Sequence, residues 1–312
     1  MELEINERKI PYEFQDRIFF ISIRLICSLV IIMLLALIFM LFKSATPAIS
    51  EFKLSFITQD FWNPVEDEFG ALPFLFGTII TSLLAIVIAT PVSVLTSLFI
   101  SEILPSKISH FISLFVEMIA AIPSIVFGLW GIFFLAPFVK ETLTPILKSS
   151  LGYIPIFSGP SFGIGILTAS IILAIMITPT ITTISREVFR TIPSIQKEAA
   201  LALGATRFEM IKLSVIKPSY SGIMGAIVLG LGRALGETMA VAMVIGNSPT
   251  ISSSIFSPAA TMASVIANEY AEADSDLHLS ALCYIGVLLF AVTLLVNSFA
   301  RFIIWNKNRA LR

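Results

Sequence analysis

Six stretches of this chain are apolar over more than about 20 residues, the length of helix that spans a hydrocarbon core about 30 Å thick. They cover roughly residues 18–42, 71–100, 111–139, 161–185, 219–246 and 277–304. Lipid offers no hydrogen-bond partner, so a spanning segment must satisfy its backbone internally, as a helix or in a closed barrel. Barrel strands need only about 9–11 residues, so these runs predict an all-α, polytopic membrane protein with six transmembrane helices. The composition agrees: 56% of residues are apolar and 13% charged, against roughly 45–50% and about 25% in soluble domains.

The net charge is −1, which leaves no global field to attract nucleic acid; the partner environment is the lipid bilayer. Cys27 and Cys283 lie inside apolar runs, and His110 and His278 share no ligand spacing. That pattern argues against a zinc site or a disulfide framework, so no metal is expected. The first run is too long for a secretory h-region and follows a tail that is acidic as well as basic, which predicts a retained helix.

Orientation follows from the Lys and Arg of the connecting segments. With the N-terminus inside, fourteen fall inside: Arg8, Lys9 and Arg17, then Lys107, six in 186–217, and Arg301, Lys307, Arg309 and Arg312. Only Lys43, Lys53, Lys140 and Lys148 fall outside, so both termini are expected to be cytoplasmic. The outer loops are acidic, with Glu51, Asp60, Glu66, Asp67 and Glu68 in the first and Glu269, Glu272, Asp274 and Asp276 in the third. They read either as a solvated face or as a docking face for an external partner. Pro91, Pro123 and Pro179 fall within runs two, three and four, where bends are expected.

The inner loop 186–217 reads as helix, turn, helix. Ser194 is a candidate N-cap, Gly204 fits the left-handed position that ends a helix, and Thr206 with Glu209 forms the pattern of a capping box. Ala199 and Ala200 leave little bulk on the first helix, so a partner can approach closely, with Glu198 offering a carboxylate at the rim. Phe208, Ile211 and Val215 predict an apolar stripe on a second short helix.

Run five contains Arg233 and Glu237, four apart and therefore expected on one helix face. A charge at mid-bilayer costs about 2.5–3.5 kcal/mol on insertion scales, so such residues face the protein interior and mark a pathway or a structural ion pair. In the pathway reading Arg233 offers a bidentate donor to an oxyanion, Glu237 holds it between transport events, and Thr238 adds a hydroxyl. Glu117, in run three, is a gating or ion-pair candidate, paired with Arg233 or placed near the inner end of its helix.

The sequence EAALALG, residues 198–204, resembles the EAA signature of ABC importer permeases, the loop that enters the cleft of a cytoplasmic ATPase. One departure concerns the proline that usually follows Leu near the end of that motif: here Ile216-Lys217-Pro218 places it one position late, leaving the end of the second helix open. EMIAAIPSIVFGLWG (117–131), GLGRALGETMAV (230–241) and WNPVEDEFGALPFLFGT (62–78) resemble the phosphate-specific (Pst) permeases of that class, the C subunit more than the A subunit.

The resemblance implies a MetI-like permease architecture in a prokaryotic cytoplasmic membrane and import of inorganic phosphate. It implies a second permease subunit (PstA-like), an ATPase dimer (PstB-like) and an extracytoplasmic phosphate-binding protein (PstS-like). It also implies ATPase coupling through Glu198, Ala199, Ala200 and Gly204. The chain contains no Gly-Lys dipeptide and hence no phosphate-cradling GxxxxGK[ST] loop. No cofactor is therefore expected on this chain, catalytic residues are not expected, and ATP-Mg belongs to the partner ATPase. The expected organisation is an N-terminal tail, first helix and outer loop over 1–70, a permease core over 71–305, and a tail over 306–312. Two alternatives stay open: another oxyanion such as sulfate or phosphonate, and a membrane scaffold or sensor whose buried charges are structural.

Overall fold

The computed structural model describes residues 12–310. Arg8, Lys9 and Arg312, used above for orientation, lie outside the described residues, as do the side chains of Lys307 and Arg309. In chain order the elements are α1 (Tyr12–Phe52), α2 (Ser55–Thr58), a hairpin of β1 (Trp62–Asn63) and β2 (Glu68–Phe69), α3 (Leu72–Leu98), α4 (Ser106–Ala120) and α5 (Ser124–Trp130). Then come α6 (Ala136–Phe138), α7 (Thr144–Leu151), α8 (Ile166–Arg190), α9 (Ser194–Ala202), α10 (Arg207–Met210), α11 (Lys217–Gly236), α12 (Met239–Val244), α13 (Met262–Glu269) and α14 (Asp276–Ala310). Among the described residues six helices are long and apolar enough to cross a membrane: Asp16–Phe52, Leu72–Ile103, Ser124–Leu151, Ile166–Arg190, Arg207–Gly236 and Asp276–Asn306.

Two of the predicted runs divide differently. Run three breaks at Pro123, which does not bend a continuous helix but starts a new one: α4 ends at Ala120 and α5 begins at Ser124. The residue before a proline is driven out of the helical region and the proline brings no N–H, so the two effects together end α4. Helix α4 turns the small Ser109 and Ser113 inward, packing on α8, and exposes Phe111, Phe115 and Met118. Run five ends at Gly236, not Gly246, and the chain restarts as α12.

Pro47, Pro91 and Pro179 lie inside continuous α-helices, while four other prolines follow a wide turn, which carries the helix on at Pro137, Pro145 and Pro218 and closes it ahead of Pro105. Four π-helical turns, Phe99–Ile103, Gly131–Leu135, Val139–Leu143 and Ile211–Ile216, each end two residues before a proline: Pro105, Pro137, Pro145 and Pro218. The residue between accepts the wider register; the Lys217 amide, for example, donates to the Lys212 carbonyl, five residues back. A proline in an α-helix clashes with the carbonyl four residues earlier, and a wide turn moves that carbonyl away. Thus α5, α6 and α7 form one rod, and α10 runs unbroken into α11.

Helix α8 is the axis of the molecule. Ile172, Ile177 and Ile181 are fully buried against Ala85 and Ala89 of α3, Ala226 of α11 and Val241 of α12. Ser93 of α3 donates to the Thr178 carbonyl at 3.2 Å, and Thr182 to the Ser93 carbonyl at 3.4 Å, stitching α3 and α8 where Pro91 and Pro179 lie inside them. Helix α1 packs against α14 through Ala45 and Ala48, while its residues from Ile18 to Met40 are mostly exposed.

At the opposite end from the α9–α10 loop, the β1–β2 hairpin is anchored by aromatic contact and one carboxylate. Trp62 packs edge-on against Phe69 and Phe74, and Phe69 stacks on His278 with ring centres 5.3 Å apart. Trp62 Nε1 donates to Glu269 Oε2 at 2.8 Å, and the same oxygen lies 3.1 Å from His278 Nε2. Glu269 is therefore not a free charge of an acidic loop; it ties β1 to α14. Replacing it with Ala strands the Trp62 and His278 donors and is expected to cost about 1–3 kcal/mol. Glu272→Gln and Asp274→Asn, both at exposed positions, are expected to leave thermal unfolding of the detergent-solubilised chain unchanged.

Candidate functional site

Arg233 lies near the end of α11, half-buried, and donates from Nη1 to Thr180 Oγ1 of α8 at 3.1 Å. Glu237 does not share its helix face. The helix stops at Gly236, Glu237 is extended (φ −70°, ψ 126°), and the Thr238 hydroxyl donates back to the Gly236 carbonyl at 3.2 Å. Among the described residues Arg233 forms no ion pair, with Glu237 or any other carboxylate. The helical spacing of four thus fails because the helix ends between the two residues. What the geometry leaves is a guanidinium held by a neutral hydroxyl. Thr180 was not singled out from sequence, although its place one residue after Pro179 in a run of hydroxyls was a signal.

Glu117 pairs with a different arginine from the one expected. Arg186 Nη2 of α8 lies 3.3 Å from Glu117 of α4 and 2.9 Å from Glu187, and Arg190 reaches Glu187 at 3.4 Å. The Arg186 side chain is 10% exposed and Glu117 50%, so the cluster is a partly wet clamp between the end of α8 and α4. Arg186→Met keeps the stem and removes the charge; it is expected to destabilise the chain by about 1 kcal/mol. A lowered melting temperature without loss of Arg233-dependent behaviour would mark this cluster as structural.

The loop between α8 and α11 forms a compact hairpin. Helix α9 begins with Pro193 at the N-cap, with Ser194 the first helical residue and not the cap. It ends in a Schellman motif: Gly204 (φ +89°) donates to the Leu201 carbonyl at 3.0 Å and Ala205 to the Ala200 carbonyl at 3.1 Å. Thr206 and Glu209 then close a capping box, with the Thr206 amide donating to Glu209 Oε2 at 2.8 Å. The second helix of the hairpin is not separate: α10 passes through the π turn into α11, so hairpin and membrane helix are one 30-residue rod, Arg207–Gly236.

The side chains of this hairpin sort onto two faces. Glu198 and Ala199 are exposed, and large apolar groups stand out beside them: Ile195 at 71%, Phe208 at 73% and Leu203 at 90% exposure. Ala200 instead turns inward and packs on a small cluster of Leu98, Phe189, Met210, Val215 and Ile223. The expected stripe of Phe208, Ile211 and Val215 is split, because the π turn between them shifts the register: Val215 is buried and Phe208 points to solvent. Lys197, on the same inward face as Ala200, reaches both carboxylate oxygens of Glu102 at 2.7 and 2.9 Å.

This hairpin, continuous with the helix that carries Arg233, sits in a chain with close relatives among known proteins. The family model of the binding-protein-dependent transport system inner membrane component matches residues 93–305. A phosphate transport system permease protein PstC of Mesorhizobium japonicum is 45% identical, aligning over 93% of this chain and 90% of its own length. The chain belongs to the PstC permease family. PstC proteins of Haemophilus influenzae (42% identical, 90% of each chain) and Mycobacterium tuberculosis (PstC 2; 39% identical, 90% of this chain and 88% of that one) agree. An inward-facing methionine ABC transporter, MetNI, superposes with a TM-score of 0.52 over 76% of this chain and 94% of that one, at 19% identity. This PstC-family chain thus has the MetI-like, six-helix permease fold of a multi-pass membrane protein.

Proposed function

We propose that this chain is one permease subunit of an ATP-driven importer that carries inorganic phosphate across the cytoplasmic membrane. The observation that carries the reading is the state of Arg233: a guanidinium within a membrane helix, held by a neutral hydroxyl, with donors that match a tetrahedral oxyanion. The names of its relatives give the anion as phosphate. Glu237 and Thr238, at the break after α11, stand at the mouth of the same segment and bound the pathway around Arg233. Glu237, a carboxylate just beyond the end of α11, opposes over-tight retention of an anion in the pathway.

ATP is hydrolysed on a partner. The exposed face of Glu198, Ala199, Ile195 and Phe208 docks into an ATPase dimer, with Gly204 as the pivot, and both chain termini lie on that cytoplasmic side. A second, related permease completes the pathway, and an extracytoplasmic protein delivers the phosphate. ATP closes the motor, moves the hairpin, and through the Arg207–Gly236 rod turns Arg233 between outer and inner access. The test is uptake of labelled phosphate by proteoliposomes rebuilt with the partner subunits, challenged with unlabelled sulfate and phosphonate. Uptake that needs ATP and resists both competitors supports the reading; equal competition by sulfate reassigns the cargo.

A further inference from the structure

Helix α9 is attached to the rest of the fold at few points. None of its residues is buried, and apart from its chain ends it is held by the half-buried Ala200 and by Lys197. Lys197 Nζ bridges both oxygens of Glu102, whose side chain is 5% exposed, while Lys197 itself is 21% exposed. Glu102 lies in the π turn Phe99–Ile103 that ends α3, two residues before the chain turns toward α4. An ammonium that satisfies a buried carboxylate is a stiff connection, because separating the two leaves the Glu102 carboxylate buried without its partner.

We infer that Lys197 and Glu102 form the strut through which the docking helix α9 drives α3. They are positioning residues for transport: neither touches the ATPase face, since Lys197 points away from Glu198 and Ala199, and neither touches the Arg233 site. The inference rests on the proposed role of α9 as the docking helix. Its mechanical sense follows from the packing. Helix α3 lies along α8, stitched to it by Ser93, Thr178 and Thr182, and α8 carries Thr180, the partner of Arg233. The hairpin therefore reaches the arginine by two routes, through the rod of α10 and α11 on one side and through Glu102 and α3 on the other. With both engaged, α9 cannot move without carrying α3 along; with the strut cut, hydrolysis turns the rod alone.

The experiment uses the full transporter in proteoliposomes with its ATPase and partner permease. Glu102→Gln alone, or Lys197→Met alone, strands a charge, so the main variant is the double Glu102→Gln/Lys197→Met, which leaves none. A charge exchange, Glu102→Lys/Lys197→Glu, is made alongside. The double variant is expected to bind the ATPase at the wild-type ratio and to hydrolyse ATP, while phosphate moved per ATP falls roughly ten-fold, within the usual range of coupling between sites. The charge exchange restores a large part of it. Wild-type transport per ATP in the double variant overturns the inference, and so does loss of ATPase binding, which would make the pair a mere support of the hairpin.

A second readout is independent of cargo. With Cys27 and Cys283 replaced by Ser, spin labels are placed through Ile103→Cys and Gln196→Cys, both exposed positions. A rigid strut gives one label distance with and without ATP, and the double variant gives a shifted or broadened one. A nucleotide-dependent distance in the otherwise wild-type protein overturns the strut. If the unmodified transporter moves no phosphate, the cargo assignment fails while these distances still decide the strut.

Discussion

Arg233→Gln is expected to lower ATP-driven phosphate uptake by roughly ten- to a hundred-fold while leaving the ATPase bound. The magnitude comes from the lost charge-assisted hydrogen bonds to a desolvated oxyanion, each about 1.5–3 kcal/mol, where about 1.4 kcal/mol is a factor of ten. The fold should survive, because Gln keeps a donor for Thr180 Oγ1 and Arg233 makes no ion pair whose other half would be orphaned. Arg233→Lys separates charge from geometry. It retains the positive charge but not the planar pair of donors, so an intermediate uptake rate is expected. The measurement is the initial rate of labelled phosphate uptake at saturating ATP, with ATPase co-purification as the control. Full uptake by the Gln variant removes Arg233 from the pathway.

Gly204→Val is expected to abolish co-purification of the ATPase. Gly204 has φ +89°, and a Cβ there would meet nothing within 4 Å, so the substitution acts through the backbone and not through a clash. A left-handed conformation costs a side-chain-bearing residue about 1–2 kcal/mol, and a β-branched one more. The Schellman bonds from Gly204 and Ala205 and the capping box at Thr206 all depend on that one turn. Losing the turn disperses Glu198, Ala199 and Phe208. Gly204→Asn, which tolerates the left-handed region, is expected to keep binding, and Gly204→Ala to weaken it. The strain is confined to the hairpin, so the melting temperature of the purified permease is expected to fall only modestly, by what about 1–2 kcal/mol gives, while the six membrane helices stay in place. A Val variant that retains the ATPase would show that the hairpin geometry does not set docking.

Much of the architecture was legible in the sequence because membrane helices and helix ends are local properties. Length and apolarity alone marked six spans, and Gly204, Thr206 and Glu209 announced their turn by type and spacing. What periodicity could not show was where a helix stops within an apolar run. The breaks at Pro123 and after Gly236 leave hydropathy unchanged, so hydropathy alone merges α4 with α5, and a spacing of four puts Glu237 on a helix face that does not exist. Long-range partners were equally hidden. Glu117 found Arg186 and not Arg233, Arg233 found Thr180, and Lys197 found Glu102 across 95 residues of chain. Such pairings depend on which elements the fold brings side by side, and nothing local encodes that. The π turns had a readable signal in retrospect, a proline two residues beyond each.

The π turn at Ile211–Ile216 sets an angular phase. It adds one residue to a helical rod, and each residue of an α-helix turns the surface by about 100°. The docking end, with Phe208, is therefore rotated relative to the arginine end, with Arg233, by an amount that this single wide turn fixes. The rod acts as a crankshaft whose two throws are offset by one residue. Removing Leu213, an exposed residue of that turn, would leave the membrane half in place and swing Phe208 and its neighbours around the axis. Transport would then stop although every side chain of the docking face and of the arginine site were still present.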